Sequence, residues 1–173
     1  QVSYIEKMNA HLKELVLKHK QSIDSFLEDK TSDLKIISKT FGTIQLSDQQ
    51  FLEKKLSILQ EEYSGVYVDL GVVSTEGKQL SYAGPYKLDN ADYADADWFV
   101  KAVNNEIYVS DVFMGFRRSP HFIISVKYHD EGNEWLLRAT IDFVEFNKLV
   151  ENIRIGETGF AWIINKKQEL QTK

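Results

Sequence analysis

The 173-residue chain has no cysteine and only two prolines. Without cysteine there are no disulfides, thiolate metal sites or cysteine nucleophiles. That is compatible with an oxidising compartment but does not demonstrate one. No segment approaches the roughly 20 apolar residues of a membrane-spanning helix, or the apolar core of a signal peptide. Basic residues are outnumbered, with 21 Lys and Arg against 26 Asp and Glu. The net charge of -5 makes nucleic acid an unexpected partner.

Motifs of catalysis are missing too. There is no G-x-S-x-G, no phosphate-cradling glycine loop and no H-E-x-x-H. His11, His19, His121 and His129 lack a compact metal-ligand spacing. Asp89, Asp92, Asp95 and Asp97 form an acidic stretch without the glycine and glutamate of an EF-hand loop, and read as a surface loop. No catalytic residue, metal or cofactor is expected, and this domain is not expected to be an enzyme.

Hydrophobic residues make up 43% of the chain and aromatics 12%, enough to build the core of one ordinary domain, or of one module plus part of another. No glycine or proline occurs before Phe41. Ile5, Met8, Leu12, Leu15, His19, Ile23, Phe26, Lys30, Leu34, Ile37 and Phe41 recur at steps of three or four. They form one stripe of a long helix, interrupted by His19 and Lys30. Such a helix would run on the order of 60 Å. It either wraps its own domain or meets another chain, a second module or a stem near a membrane. Ser47 and Gln50 read as a capping box for a second helix with Leu52, Leu56 and Leu59 on its apolar edge and Gly65 at its end.

Strands follow. Residues 66–72 alternate apolar and polar, the period of a half-buried strand. A turn at 75–78 leads to a short strand at 79–83, and Asp95 can cap a short helix bearing Trp98 and Phe99. Residues 107–113, 122–128 and 134–141 read as three more strands, and Asp142 with Glu145 as the cap of another helix. A further apolar strand is expected at 160–164. The short connections describe one antiparallel sheet flanked by helices, an α+β domain.

On the strand at 134–141 and its following residue, Leu136, Arg138, Thr140 and Asp142 share one face. Arg, Thr and Asp in succession imply either a solvated face or a pocket whose polar groups orient a small ligand among aromatic walls. Asp142 serves as helix cap, ligand acceptor or both. Trp98 is core or pocket wall, and Tyr108 a strand aromatic or a hydroxyl donor. Arg117 and Arg118 are solvated charges or reach a carboxylate, and His121 is a ligand donor or an ordinary strand-end residue.

The order of elements, together with the stretches at 97–102 (DWFVKA), 108–111 (YVSD), 123–126 (IISV), 138–142 (RATID) and 155–161 (IGETGFA), resembles the membrane-distal module of a double-Cache, PAS-like sensor. The resemblance implies a five-stranded antiparallel sheet with a ligand pocket on one face and a long N-terminal helix. The organisation it implies is a signalling and dimerisation helix at 1–45, a Cache module at 46–155, and the start of a membrane-proximal module or linker at 156–173. It also implies an extracytoplasmic, periplasmic location and a parent anchored in the inner membrane. The stretch 117–122 (RRSPHF) is most similar to histidine-kinase members; a chemotaxis receptor or a cyclic-dinucleotide enzyme is the alternative parent, and a structural or protein-interaction domain the alternative role.

Amino-acid-binding members of the family carry an arginine two residues before the tryptophan, where this chain has Ala96. That departure removes their carboxylate anchor. The expected site comprises Trp98, Phe99, Tyr108, Arg117, His121, Arg138, Thr140 and Asp142. The expected ligand is a small organic molecule carrying a carboxylate, and the expected assembly a weak homodimer through the N-terminal helix.

Overall fold

The computed structural model describes all residues except 1, 2, 89, 116, 117, 131, 152, 156–158 and 173. It is an α+β chain of two compact units, Lys30–Phe143 and Gln1–Asp29 with Val144–Lys173.

The helix α1 spans Tyr4–Thr40. Its buried positions, Lys30, Thr31, Leu34 and Ile37, all fall in the larger unit. Lys30 therefore continues the stripe that its charge was expected to interrupt. Its ammonium sits 3.0 Å from the centre of the Tyr63 ring and 3.8 Å from Asp33. An aromatic face and a carboxylate compensate part of the cost of burying it. Tyr63 and Tyr67 in turn donate to the Asp33 carboxylate at 3.0 and 2.7 Å.

A short helix, α2 (Thr43–Leu46), precedes α3 (Gln49–Glu62). The cap of α3 is Asp48, whose carboxylate accepts from the Phe51 N–H at 2.7 Å; the expected cap, Ser47, instead closes α2. Leu52, Leu56 and Leu59 are buried as the periodicity required.

The sheet comprises β1 (Tyr67–Ser74), β2 (Gln79–Ala83), β3 (Ile107–Val109), β4 (His121–Asp130) and β5 (Asn133–Asp142), in the order β2-β1-β5-β4-β3 with every pair antiparallel. Strand β3 is shorter than its apolar run suggested; beyond it Phe113 makes a single bridge to His121. On one face α3 packs on β1 and β2, and Ser81 of β2 donates to the Leu46 carbonyl at 2.7 Å. The helix α4 (Asp97–Ala102) packs on β3 and β4. Its N-cap is Ala96, without a side-chain cap, where Asp95 was expected. Strand β1 is not half-buried: seven of its eight residues are buried. Covered on both sides, it loses the solvent face that its alternation implied.

In the smaller unit, α5 begins after β5 and runs Phe143–Glu151, and Phe146 lies 6.1 Å from Phe26 of α1. The segment expected as a strand at 160–164 contributes only β7 (Gly159–Phe160), paired with β6 (Arg154–Ile155), and a bridge from Ile164 to Leu170.

Candidate functional site

In the register of β4 and β5, His121 stands opposite Asp142, Ile123 opposite Thr140 and Ser125 opposite Arg138. Directly opposed residues of antiparallel strands project from the same face. Strand β1 adds Gly71 opposite Arg138, and Asp69 opposite Thr140. Arg138 and Thr140 are 1% and 0% exposed, so this face is not solvated there.

The cover is aromatic. Trp98 and Phe99 of α4 are buried beside Tyr93, Val73, Ile123 and Leu136. Trp98 meets Tyr93 edge-on at 5.1 Å and Phe99 at 5.8 Å. Between this cover and the sheet lies a cavity of about 260 Å³, walled by Trp98, Tyr93, Phe113, Ile123 and Leu88. Arg138, His121 and Gly115 also line it.

Arg138 is held by the protein itself. Its Nη1 donates to Asp69 at 2.7 Å and makes a longer contact to the Thr140 hydroxyl at 3.4 Å. Its Nη2 donates to Gln79 Oε1 at 2.8 Å and to the Tyr93 hydroxyl at 3.0 Å. The Tyr93 hydroxyl donates in turn to Gln79 Oε1 at 2.9 Å, and Tyr82 donates to Asp69 at 3.1 Å. Burial opposes the guanidinium charge, but the Asp69 carboxylate together with Tyr93 and Tyr82 outweighs it, and the Arg138 pKa is raised. Arg138 Nε has no hydrogen-bond partner.

Two glycines make this packing possible. A Cβ on Gly71 would lie 3.0 Å from Arg138 Nε, Cζ and Nη2, so the guanidinium rests on the bare backbone of the next strand. Gly115 has φ +51, and a Cβ there would meet the His121 ring at 2.8 Å. His121 stacks against Phe113, ring centres 4.5 Å apart. Its Nδ1 lies 2.7 Å from the Ser119 carbonyl. A carbonyl only accepts, so Nδ1 carries a hydrogen.

Of the residues singled out from the sequence, Trp98, His121 and Arg138 line the cavity. Phe99 lies behind Trp98, and Tyr108 packs part-buried against the same cluster. Burial raises the Tyr108 pKa, with the charges of Asp111 and Asp97 adding to it. Thr140 lies beneath the Arg138 guanidinium. Asp142 ends β5 half-buried, its N–H donating to the Val66 carbonyl at 2.9 Å. Arg117 lies outside the described residues, and Arg118 is exposed at φ +54.

Asp69, Gln79, Tyr82, Tyr93 and Phe113 were missed. For Asp69 the signal was present: a lone acid inside an apolar strand, two residues before a glycine, with an arginine in a later strand that needed a counter-charge. Among the described residues no group of three or more His, Asp or Glu is placed to hold a metal ion. Asp92 of the acidic stretch pairs with Lys78 instead, which lowers its pKa together with a hydrogen bond from the Ala94 N–H.

A family model described as Cache domain matches residues 2–170. The chain belongs to the Cache domain family.

A Cache domain is a ligand-binding sensor rather than a catalyst. Solved structures with this fold include the ligand-binding domain of the Campylobacter jejuni chemoreceptor Tlp3 in complex with L-valine. It is 14% identical, with a TM-score of 0.75 over 98% of this Cache domain and 71% of that chain. The Pseudomonas aeruginosa chemoreceptor PctB ligand-binding domain, in complex with L-Arg, superposes with a TM-score of 0.77 at 12% identity, covering 97% of this chain and 71% of that one. The Pseudomonas fluorescens chemoreceptor CtaA domain, in complex with L-serine, gives 0.76 at 11% identity, covering 97% and 73%. At these identities the likeness concerns the fold. No curated protein sequence is significantly similar to this Cache domain. Among its described residues no helix is long and apolar enough to cross a membrane.

Proposed function

We propose that this Cache domain is the extracytoplasmic small-molecule sensing module of a membrane-bound signalling protein, passing ligand occupancy to the rest of that protein through α1. The observation that carries this reading is the cavity of about 260 Å³ between the aromatic cover of α4 and the polar face of β5. An apolar-walled cavity with a few convergent polar groups is what a small-ligand site requires. Trp98, His121 and Arg138 are the contacts assigned to the ligand. Tyr108, Arg117 and Asp142 are candidates for reaching it.

The stretch 117–122 favours a histidine kinase as the parent. The chemoreceptor domains that share the fold favour a chemotaxis receptor instead. Either parent would bring two copies together at a membrane, so the reading includes a weak dimer through the exposed apolar residues of α1, among them Ile5 and Met8.

The test is a thermal-shift screen of organic acids, amines, amino acids and neutral aromatics. A ligand at one hundred times its Kd stabilises the folded state by about 2.7 kcal/mol. In a domain of this size that raises Tm by roughly 5–10 °C. The rise should vanish in Trp98→Leu while circular dichroism shows the variant still folded. A screen without hits, or hits indifferent to Trp98, would sink the cavity as the sensory site.

A further inference from the structure

The charges on the cavity's described lining are balanced before any ligand arrives. Arg138 is the one side chain of fixed charge on its described lining, and Asp69 cancels that charge from 2.7 Å away, itself fully buried. An arginine has five N–H donors. Both hydrogens of Nη1 and both of Nη2 already reach Asp69, Thr140, Gln79 and Tyr93. No edge of the guanidinium is left for the bidentate grip that makes arginine a carboxylate anchor. A ligand carboxylate here would be a second buried negative charge sharing one cation with Asp69, an arrangement that desolvation strongly disfavours.

Arg138 Nε has no partner, but it is closed off against the backbone of Gly71 and offers the cavity no donor either. Around the guanidinium the described walls are Trp98, Phe113, Leu88 and Ile123, with the ring of His121 as the other titratable group among them beside the already committed Tyr93. For scale, an apolar cavity of about 150 Å³ takes up benzene, so about 260 Å³ has room for a substituted ring.

We infer that the cavity takes an uncharged, largely aromatic or apolar molecule, and that the Arg138–Asp69 pair is its charge-cancelled floor rather than a carboxylate anchor. This rests on the sensory reading of the cavity. It departs from the carboxylate expected from the sequence, because Arg138, one of the cations expected to hold it, is already neutralised.

The experiment uses isosteric probes on the whole domain at neutral pH. Calorimetry and thermal shift compare acetophenone and benzamide with benzoate, which matches them in size but is charged, and with L-phenylalanine and L-valine. The neutral probes should bind at least tenfold more tightly than benzoate. Asp69→Asn keeps an acceptor beside Nη1 while removing the counter-charge, and should move the neutral-to-benzoate ratio at least tenfold toward benzoate. Benzoate or an amino acid binding as tightly as the neutral probes overturns the inference and leaves the sensory reading standing. So does a ratio unmoved in a folded Asp69→Asn variant. Failure of every probe, charged and neutral, overturns the sensory reading of the cavity with it. The wild-type ratio needs no variant, so a failure of Asp69→Asn to fold leaves the test intact.

Discussion

Arg138 Nη1 lies 2.7 Å from Asp69 Oδ1, and neither side chain is more than 1% exposed. The two residues sit on neighbouring strands, with Gly71 opposite Arg138 and Thr140 opposite Asp69 in the ladder. The pair therefore spans the middle of the sheet on the face that α4 covers. Two charges in such a place are a poor source of net stability, because desolvation costs nearly as much as their attraction returns. Their value is local: the pair fixes the guanidinium, and through Gln79 and Tyr93 it fixes the floor and one wall of the cavity.

Breaking the pair from one side should be costly. Asp69→Leu or Arg138→Met alone leaves a buried charge without its partner, and should lower unfolding stability by about 3–5 kcal/mol. The double variant leaves no buried charge, and its loss should fall short of the summed single losses by more than about 1 kcal/mol. Urea denaturation of the four proteins gives the coupling directly. Additive losses would show that the contact does not organise this region.

Gly71→Ala tests the same arrangement from the backbone side. The added Cβ would lie 3.0 Å from the guanidinium, with β5 behind it, so the arginine must shift. Overpacking of this kind costs roughly 1–3 kcal/mol. Gly132→Ala is the contrasting variant, since nothing lies within 4 Å of its Cβ and its φ of +82 is the sole source of strain. Only Gly71→Ala should also alter ligand affinity in the screen. Equal effects on binding from both variants would mean that the packing of Arg138 on β1 does not shape the cavity.

The long helix, α3 and the succession of five strands along the chain were legible because their signals are local. Steps of three and four along α1, and buried leucines at the expected positions of α3, need no tertiary information. Caps were less legible. Asp48 and Ser47 are adjacent and both suit an N-cap, and only the observed bond to Phe51 distinguishes them. Strand β1 misled because alternation implies a solvent side, whereas this strand is covered on both faces and its Asp69 is paired across 69 positions of sequence. That pairing is a property of the fold, and periodicity cannot carry it.

The candidate site divides along the same line. Trp98 and Arg138 stood out because an indole on a short helix and a cation in an apolar strand are conspicuous in sequence. Tyr93 and Phe113 come from irregular segments whose approach to Arg138 and His121 depends on the chain's path through them. Lys30 shows the reverse error. Its charge suggested a break in the α1 stripe, yet Tyr63 and Asp33 receive it in the interior.

The exposed apolar residues of α1 lead to a prediction about assembly. Tyr4 is 80% exposed, Ile5 63% and Met8 44%, on a helix that carries a regular apolar stripe. Analytical ultracentrifugation at high protein concentration should find a weak dimer that dissociates in the Ile5→Glu/Met8→Glu variant without loss of helix content. In an anchored receptor the local concentration of partners is far higher, so a weak soluble dimer is sufficient. A wild-type domain that stays monomeric at millimolar concentration would remove α1 as an assembly surface.

The alkaline limb of stability should be set in part by Tyr128. Its hydroxyl is buried, and burial pushes its pKa up to about 12; the Thr43 hydroxyl works against the rise and the charge of Asp130 adds to it. In the unfolded chain the same phenol titrates near its ordinary value of 10.0. Below pH 10 both states hold the proton, and Tyr128 contributes its full stabilisation. Between pH 10 and 12 the unfolded state releases the proton while the folded state keeps it, so stability falls as pH rises. Each unit of separation is worth about 1.4 kcal/mol, which bounds the loss at roughly 3 kcal/mol. Urea denaturation at pH 9 and at steps up to pH 11.5 should therefore show a decline that is shallower in Tyr128→Phe. Ultraviolet titration of the folded protein supplies an independent reading, because one fewer late-ionising tyrosine should appear in the variant. Tyr108, whose pKa is also raised by burial, supplies a smaller decline that persists in Tyr128→Phe. Parallel alkaline curves for the two proteins would mean that water reaches the Tyr128 hydroxyl, and that β4 is not sealed at that end.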